Sequence, residues 1–231
     1  MRILYRWHWI AIAALALAAM LVLAALGQET EPPAEDVGAA DAFVMLGKSG
    51  EGIYHTHGDI PFRFADVPIQ TQLLMVGHLL DLSMPRDELP LGGQIAKRVH
   101  LMALTAYSLE TPHGTPAGAI HAVYEDGARE TLQLFEGLDV AEWSYDHPAY
   151  GFRLAHDRVP PAFVWSRGDP DVGEHPGYAF YVAIDTQPRP LDRLELHLNE
   201  DAVEATPGGN FVLMVNAVTL ELAPALEEEP G

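Results

Sequence analysis

Three stretches of this chain carry residue types that could do chemistry. In His55-Thr56-His57 two imidazoles stand one residue apart, and alternate residues of a strand share a face, so the pair could offer two nitrogens to a metal. Gly58-Asp59-Ile60-Pro61 follows without a glutamate, and no later histidine makes a matching third ligand. A solvated or structural pair is the plainer reading, and no metal site is expected there. Asp169-Pro170-Asp171-Val172-Gly173-Glu174 gathers three carboxylates around a glycine. Oxygen-rich loops of this kind wrap calcium, but the spacing is not that of an EF-hand, and Pro170 restricts the loop. An ordinary acidic turn also explains it. A structural calcium is therefore the one cofactor left open, and none other is expected.

The third stretch is aromatic. Trp143, Tyr145 and Tyr150 lie close together, with Trp165 further on. Aromatic faces stack on the apolar faces of sugar rings, and Asp139, Glu142, Asp146 and His147 could hydrogen-bond the hydroxyls. Large aromatics also dominate buried area wherever they occur. Trp143 suits a structural role better than a contact role, whereas Tyr145 and Tyr150, flanked by polar residues, are better placed to meet a ligand. Trp143, Tyr145, Tyr150, Asp139, Glu142 and Asp146 are the candidate ligand-binding residues.

Catalysis finds little support. There is no Gly-x-Ser-x-Gly elbow, no His-Glu-x-x-His and no phosphate-cradling glycine loop. Ser144, Ser166 and the scattered histidines form no triad order, and no carboxylate pair can be picked out as a glycosidase pair. The chain has no cysteine, which excludes disulfides, a thiolate nucleophile, a cysteine metal site and a lipidated N-terminal Cys. A formal net charge of −20 opposes nucleic acid at long range. It suits a solvated surface, a basic partner or cations. A non-enzyme is expected.

The elements that must position these residues read as short strands. Ile120, Ala122 and Tyr124 alternate along one face, Asp126-Gly127 favours a tight turn, and Leu132 and Leu134 return on the other arm. Further strands are expected at Ala42–Leu46, Phe62–Val67, Thr71–Val76, Arg98–Tyr107, Ala162–Ser166, Tyr178–Ile184, Arg193–Leu198 and Phe211–Leu222. Many short strands, little helical periodicity and no fixed repeat argue for an all-β antiparallel sandwich. It would occupy residues 42–222, with an acidic tail over 223–231.

Ahead of it, Arg2 and Arg6 precede an apolar run from Trp9 to Leu26. That run is longer than a usual signal-peptide core and close to the minimum for a spanning helix. Residues 1–27 are thus a cleaved signal or a single-pass transmembrane anchor. Both direct the rest outward, to the periplasm or cell surface. Residues 28–41, rich in Pro, Glu and Ala, read as a flexible spacer.

The order of several motifs also carries a resemblance. Tyr124, Asp126 and Gly127, then Gly137 and Trp143, follow the Tyr-x-Asp-Gly and Gly-x-x-x-x-x-Trp pattern of an exported bacterial β-sandwich module. Ile60-Pro61-Phe62, Ile95 to Met102, Tyr178-Ala179-Phe180-Tyr181, Gln187-Pro188-Arg189-Pro190 and Val215 to Leu220 add to it. The match spans residues 58–220. It departs at Val182-Ala183-Ile184, where the family has a Trp, and at Gln187, which replaces an Asn. The module is similar to galactose-binding-like, carbohydrate-binding jelly rolls, so the resemblance implies a jelly-roll sandwich preceded by a membrane or signal helix. Together with the aromatic and carboxylate residues above, it implies a non-catalytic, exported and membrane-tethered module that binds carbohydrate or another extracellular ligand. The alternative is a structural or accessory subunit docking on an envelope membrane-protein assembly through protein–protein contacts.

Overall fold

The computed structural model describes residues 42–45, 52–65, 73–79, 82–83, 86–150, 153–169 and 171–223. The expected anchor, the spacer and residues 224–231 of the tail lie outside them. The described residues form twelve strands: β1 (Ala42–Met45), β2 (Gly52–His57), β3 (Ile60–Ala65), β4 (Leu74–Leu79), β5 (Leu82–Ser83) and β6 (Glu88–Ala106); then β7 (Pro116–Tyr124), β8 (Arg129–Phe135), β9 (Phe163–Asp169), β10 (Gly173–Asp185), β11 (Pro190–Leu198) and β12 (Phe211–Leu222). Every pairing between these strands is antiparallel. Among the described residues a helix, α1 (Glu200–Ala205), begins where Asn199 accepts the Asp201 N–H, which satisfies an orphan donor of the first turn.

Two stretches of sheet share β6. Its C-terminal half lies between β12 and β10, with β4 and β1 beyond β12 and β9 beyond β10. Its N-terminal half pairs with β11, which continues to β7 and β8. Pro90, Gly92 and Gly93 would ordinarily mark a turn. Instead the two glycines take positive φ, 64° and 74°, within the strand, and the β6–β11 register shifts between Leu191 and Arg193. Glycine at such a bulge bends a strand without ending it.

Residues 99–106 and 211–220 are all buried, so the middle strands are covered on both faces. On one side Leu213 of β12 meets β7 at Gly118, where an added Cβ would lie 2.6 Å from the leucine methyl and 2.3 Å from the His197 carbonyl. Only glycine permits that approach. On the other side the β2–β3 hairpin lies against the sheet: the Thr219 hydroxyl donates to the Pro61 carbonyl at 2.5 Å, and Phe64 stacks on Phe163 at 4.1 Å.

Candidate functional site

The β9–β10 hairpin sets side chains in facing pairs: Phe163 with Ala179, Trp165 with Gly177, Arg167 with His175, and Asp169 with Gly173. Directly opposed residues point to the same face, so this face carries Phe163, Trp165, Arg167, Asp169 and His175. Gly177 is required because the Trp165 indole lies across it; a Cβ there would stand 2.4 Å from the ring. Where β10 splays from β6, residues 141–143 fill the gap. Trp143 donates its N–H to Thr105 and accepts from Tyr178 N–H, which swings its indole onto the hairpin face.

The result is a continuous aromatic row. Phe64 stacks on Phe163, Phe163 on Trp165 at 5.8 Å, and Trp165 on Trp143 at 6.1 Å and 7° between planes. Trp143 leads to His175 at 6.0 Å, His175 to His147 at 4.4 Å, and His147 to Tyr150 at 4.3 Å. The Arg167 guanidinium sits 4.8 Å from the Trp143 ring centre, a favourable cation–π geometry. Trp165 Nε1 is buried without a hydrogen-bond partner. Exposure along the row is uneven: Phe64 is fully buried, Trp143 half-buried, His175 and His147 buried, and Tyr150 exposed.

At the outer end, one ligand atom from each of His147, Asp169 and His175 lies within 4.8 Å of the others. Asp169 Oδ1 accepts the Asp171 and Val172 N–H groups at 2.8 and 3.2 Å. These bonds hold its carboxyl below the usual aspartate range, despite partial desolvation. Its Oδ2 is left facing His147 Nε2 at 3.7 Å.

The expected ligand residues divide. Trp143 and Tyr150 belong to the row. Asp146 lies near it, half-buried, accepting the Tyr178 hydroxyl at 2.8 Å and pairing with Arg158 at 2.5 Å. Tyr145, expected to face a ligand, is instead buried, stacked on Tyr178 at 4.3 Å and near Phe180 at 6.3 Å, with its hydroxyl donating to the Val159 carbonyl at 3.4 Å; these contacts outweigh its polar sequence neighbours. Asp139 turns back to accept the Phe135 N–H at 2.9 Å, a local turn contact. Glu142, buried, points to the opposite side of its segment from Trp143, as alternation in an extended chain demands.

There Glu142 joins a polar network under the end of the sheet. Its Oε2 accepts Ser108 N–H at 2.8 Å and its Oε1 accepts the Ser144 hydroxyl at 3.1 Å. Glu136 Oε1 accepts the Thr105 and Ser108 hydroxyls at 2.9 and 2.7 Å and lies 3.1 Å from His156 Nε2. Its Oε2 has no partner. His156 Nδ1 faces the Thr111 carbonyl, so the neutral ring donates there, and its Nε2 accepts the Glu142 N–H at 3.4 Å beside Glu136 Oε1. Burial pushes Glu136 up to about 8, with Ser108 and Thr105 opposing and Glu142 adding to the rise. It lifts Glu142 to about 7, against hydrogen bonds from Ser108 and Ser144. At neutral pH the pair carries at least one proton. Tyr107, immediately before Ser108, has φ 64°, a costly conformation for a bulky residue, and it delivers the Ser108 N–H to Glu142.

His55 and His57 do share a side, but His55 Nε2 meets the Ala162 carbonyl at 2.8 Å and His57 stacks on Tyr181 at 4.6 Å. Both pack the β2–β3 hairpin down. In the acidic loop, Asp169 serves its own turn and Glu174 accepts from Ser166 at 3.3 Å; Pro170 lies outside the described residues. His175 and Arg167 were not foreseen as site residues. The signal available for them was the alternation Trp165-x-Arg167-x-Asp169 facing His175-x-Gly177. No family model, curated protein or solved structure matches this chain.

Proposed function

We propose that this chain is a non-catalytic β-sandwich module of the jelly-roll, galactose-binding-like type, which binds carbohydrate outside the cytoplasm. The two stretches of sheet sharing β6 are read as the two layers of the sandwich. Residues 1–27 tether the module to the membrane or direct its export, and the ligand is an extracellular polysaccharide. The observation that carries this reading is the aromatic row that reaches the surface at half-buried Trp143 and at exposed Tyr150. Flat faces at the surface stack on sugar rings, and Asp146 and Arg167 stand beside them to meet hydroxyls. The buried carboxylates of Glu136 and Glu142 do not open to a cleft, which suits a binding role better than hydrolysis.

The test is affinity electrophoresis of the intact chain, solubilised in a polyoxyethylene rather than a glycoside detergent, through gels holding neutral and charged polysaccharides. Retardation by one polymer, lost in Tyr150→Ala with native circular dichroism kept, is the expected result. Free migration through every gel overturns the reading. Weight then moves to an accessory subunit of an envelope assembly, which should co-purify with its partner from membranes.

A further inference from the structure

We infer that His147, Asp169 and His175 form a binding site for a divalent first-row transition ion, with zinc the natural probe. The three residues come from two elements, the segment after Trp143 and the β9–β10 hairpin, and both histidines are buried. Zinc held tetrahedrally at about 2.1 Å from nitrogen and oxygen ligands spaces those ligands about 3.4 Å apart. The 3.7 Å between His147 Nε2 and Asp169 Oδ2 is too long for a hydrogen bond and close to that spacing. The third ligand atom falls within the same 4.8 Å sphere.

The surroundings of two ligands are already those of a metal site. His175 Nδ1 lies 3.3 Å from the Pro176 carbonyl; donation there fixes the tautomer and leaves Nε2 a bare lone pair, the usual outer support of a metal-bound imidazole. Asp169 Oδ1 is held by two backbone N–H groups, so Oδ2 alone is presented. His147 is the ligand that must change. Its Nδ1 accepts the Ala149 N–H at 3.1 Å, which puts the ring proton on Nε2. Binding moves that proton to Nδ1 and turns the Ala149 peptide away. Two imidazoles and one carboxylate select zinc or its neighbours over calcium or magnesium, and a fourth position is left for water or a ligand oxygen. Tyr150, stacked on His147, and Trp143, beside His175, put that position at the outer end of the aromatic row.

The experiment is titration of the intact, untagged chain with Zn²⁺ by calorimetry, and with Co²⁺ by visible absorption. One ion per chain is expected, with the intense visible bands of low-coordinate cobalt. Asp169→Asn and His175→Ala should each weaken binding by about tenfold or more, whereas His55→Ala should leave it unchanged. Asp169→Asn decides the matter if His175→Ala fails to fold. Absence of saturable uptake by the parent chain, or undiminished affinity in folded Asp169→Asn, overturns the proposal. The outcome is independent of the glycan reading: zinc uptake without polysaccharide retardation keeps this site and removes that function.

Discussion

Glu136→Gln offers the sharpest test of the buried network. In the folded chain Glu136 keeps its proton up to about pH 8, whereas an unfolded glutamate releases it near pH 4.3. Below the unfolded value both states are protonated and the residue costs nothing. As pH rises, only the unfolded state loses the proton, so stability falls by about 1.4 kcal/mol per pH unit until the folded value is passed. Between about pH 5.5 and pH 7.5 that amounts to roughly 2–3 kcal/mol. Glutamine keeps an acceptor for the Thr105 and Ser108 hydroxyls but cannot ionise. Its extra N–H groups find no acceptor where Oε2 stands alone, which shifts its whole stability curve down by about 1–3 kcal/mol. The slope is therefore the readout, not the absolute value. Urea titrations across this range should show the variant gaining roughly 2–3 kcal/mol on the parent as pH rises. Parallel curves would refute a carboxyl held protonated by burial.

Three further outcomes follow from packing and backbone geometry. Gly177→Ala forces the Trp165 indole aside and should cost about 1–3 kcal/mol, with a red shift in tryptophan emission; an unshifted spectrum contradicts the contact. Tyr145→Ala, in a closed site between Tyr178 and Phe180, should lower stability by about 3–5 kcal/mol, read from the urea midpoint. Tyr107→Gly removes a left-handed conformation from an exposed side chain and should raise stability by about 0.5 kcal/mol; a lower midpoint would mean that Tyr107 carries no backbone strain.

Much of the strand pattern was legible because local chemistry decided it. The hairpin at Asp126-Gly127 forms with Gly127 at φ 81° and Asp126 accepting the Ala128 N–H, as the dipeptide requires. Apolar runs at Tyr178–Ile184 and Phe211–Leu222 became β10 and β12. The first half of β6 was not legible, since Gly92 and Gly93 read as a turn until a partner strand is known. The second strand, His55 among its residues, was missed because its hairpin is held by distant contacts to Ala162 and Phe163. At the candidate site, the segment after the hairpin was found but its two faces were not separated. Which of Trp143 and Glu142 faces outward depends on where the segment inserts between β6 and β10, a long-range matter. The same limit hid the meeting of His147 with Asp169 and His175.

Strand β6 has a bearing on how the chain is made. Its flanking strands are β10, β11 and β12, all of which follow it by many residues. A growing chain therefore exposes an apolar strand, open along both edges, until Gly173 and the residues after it have emerged. The β7–β8 hairpin can close early, but it pairs with β11 and not with β6. The sheet thus cannot close until its last strands are made, and its pairings are non-local, the kind that fold slowly. During that interval the open strand edge is the part of the molecule that a chaperone would have to shield.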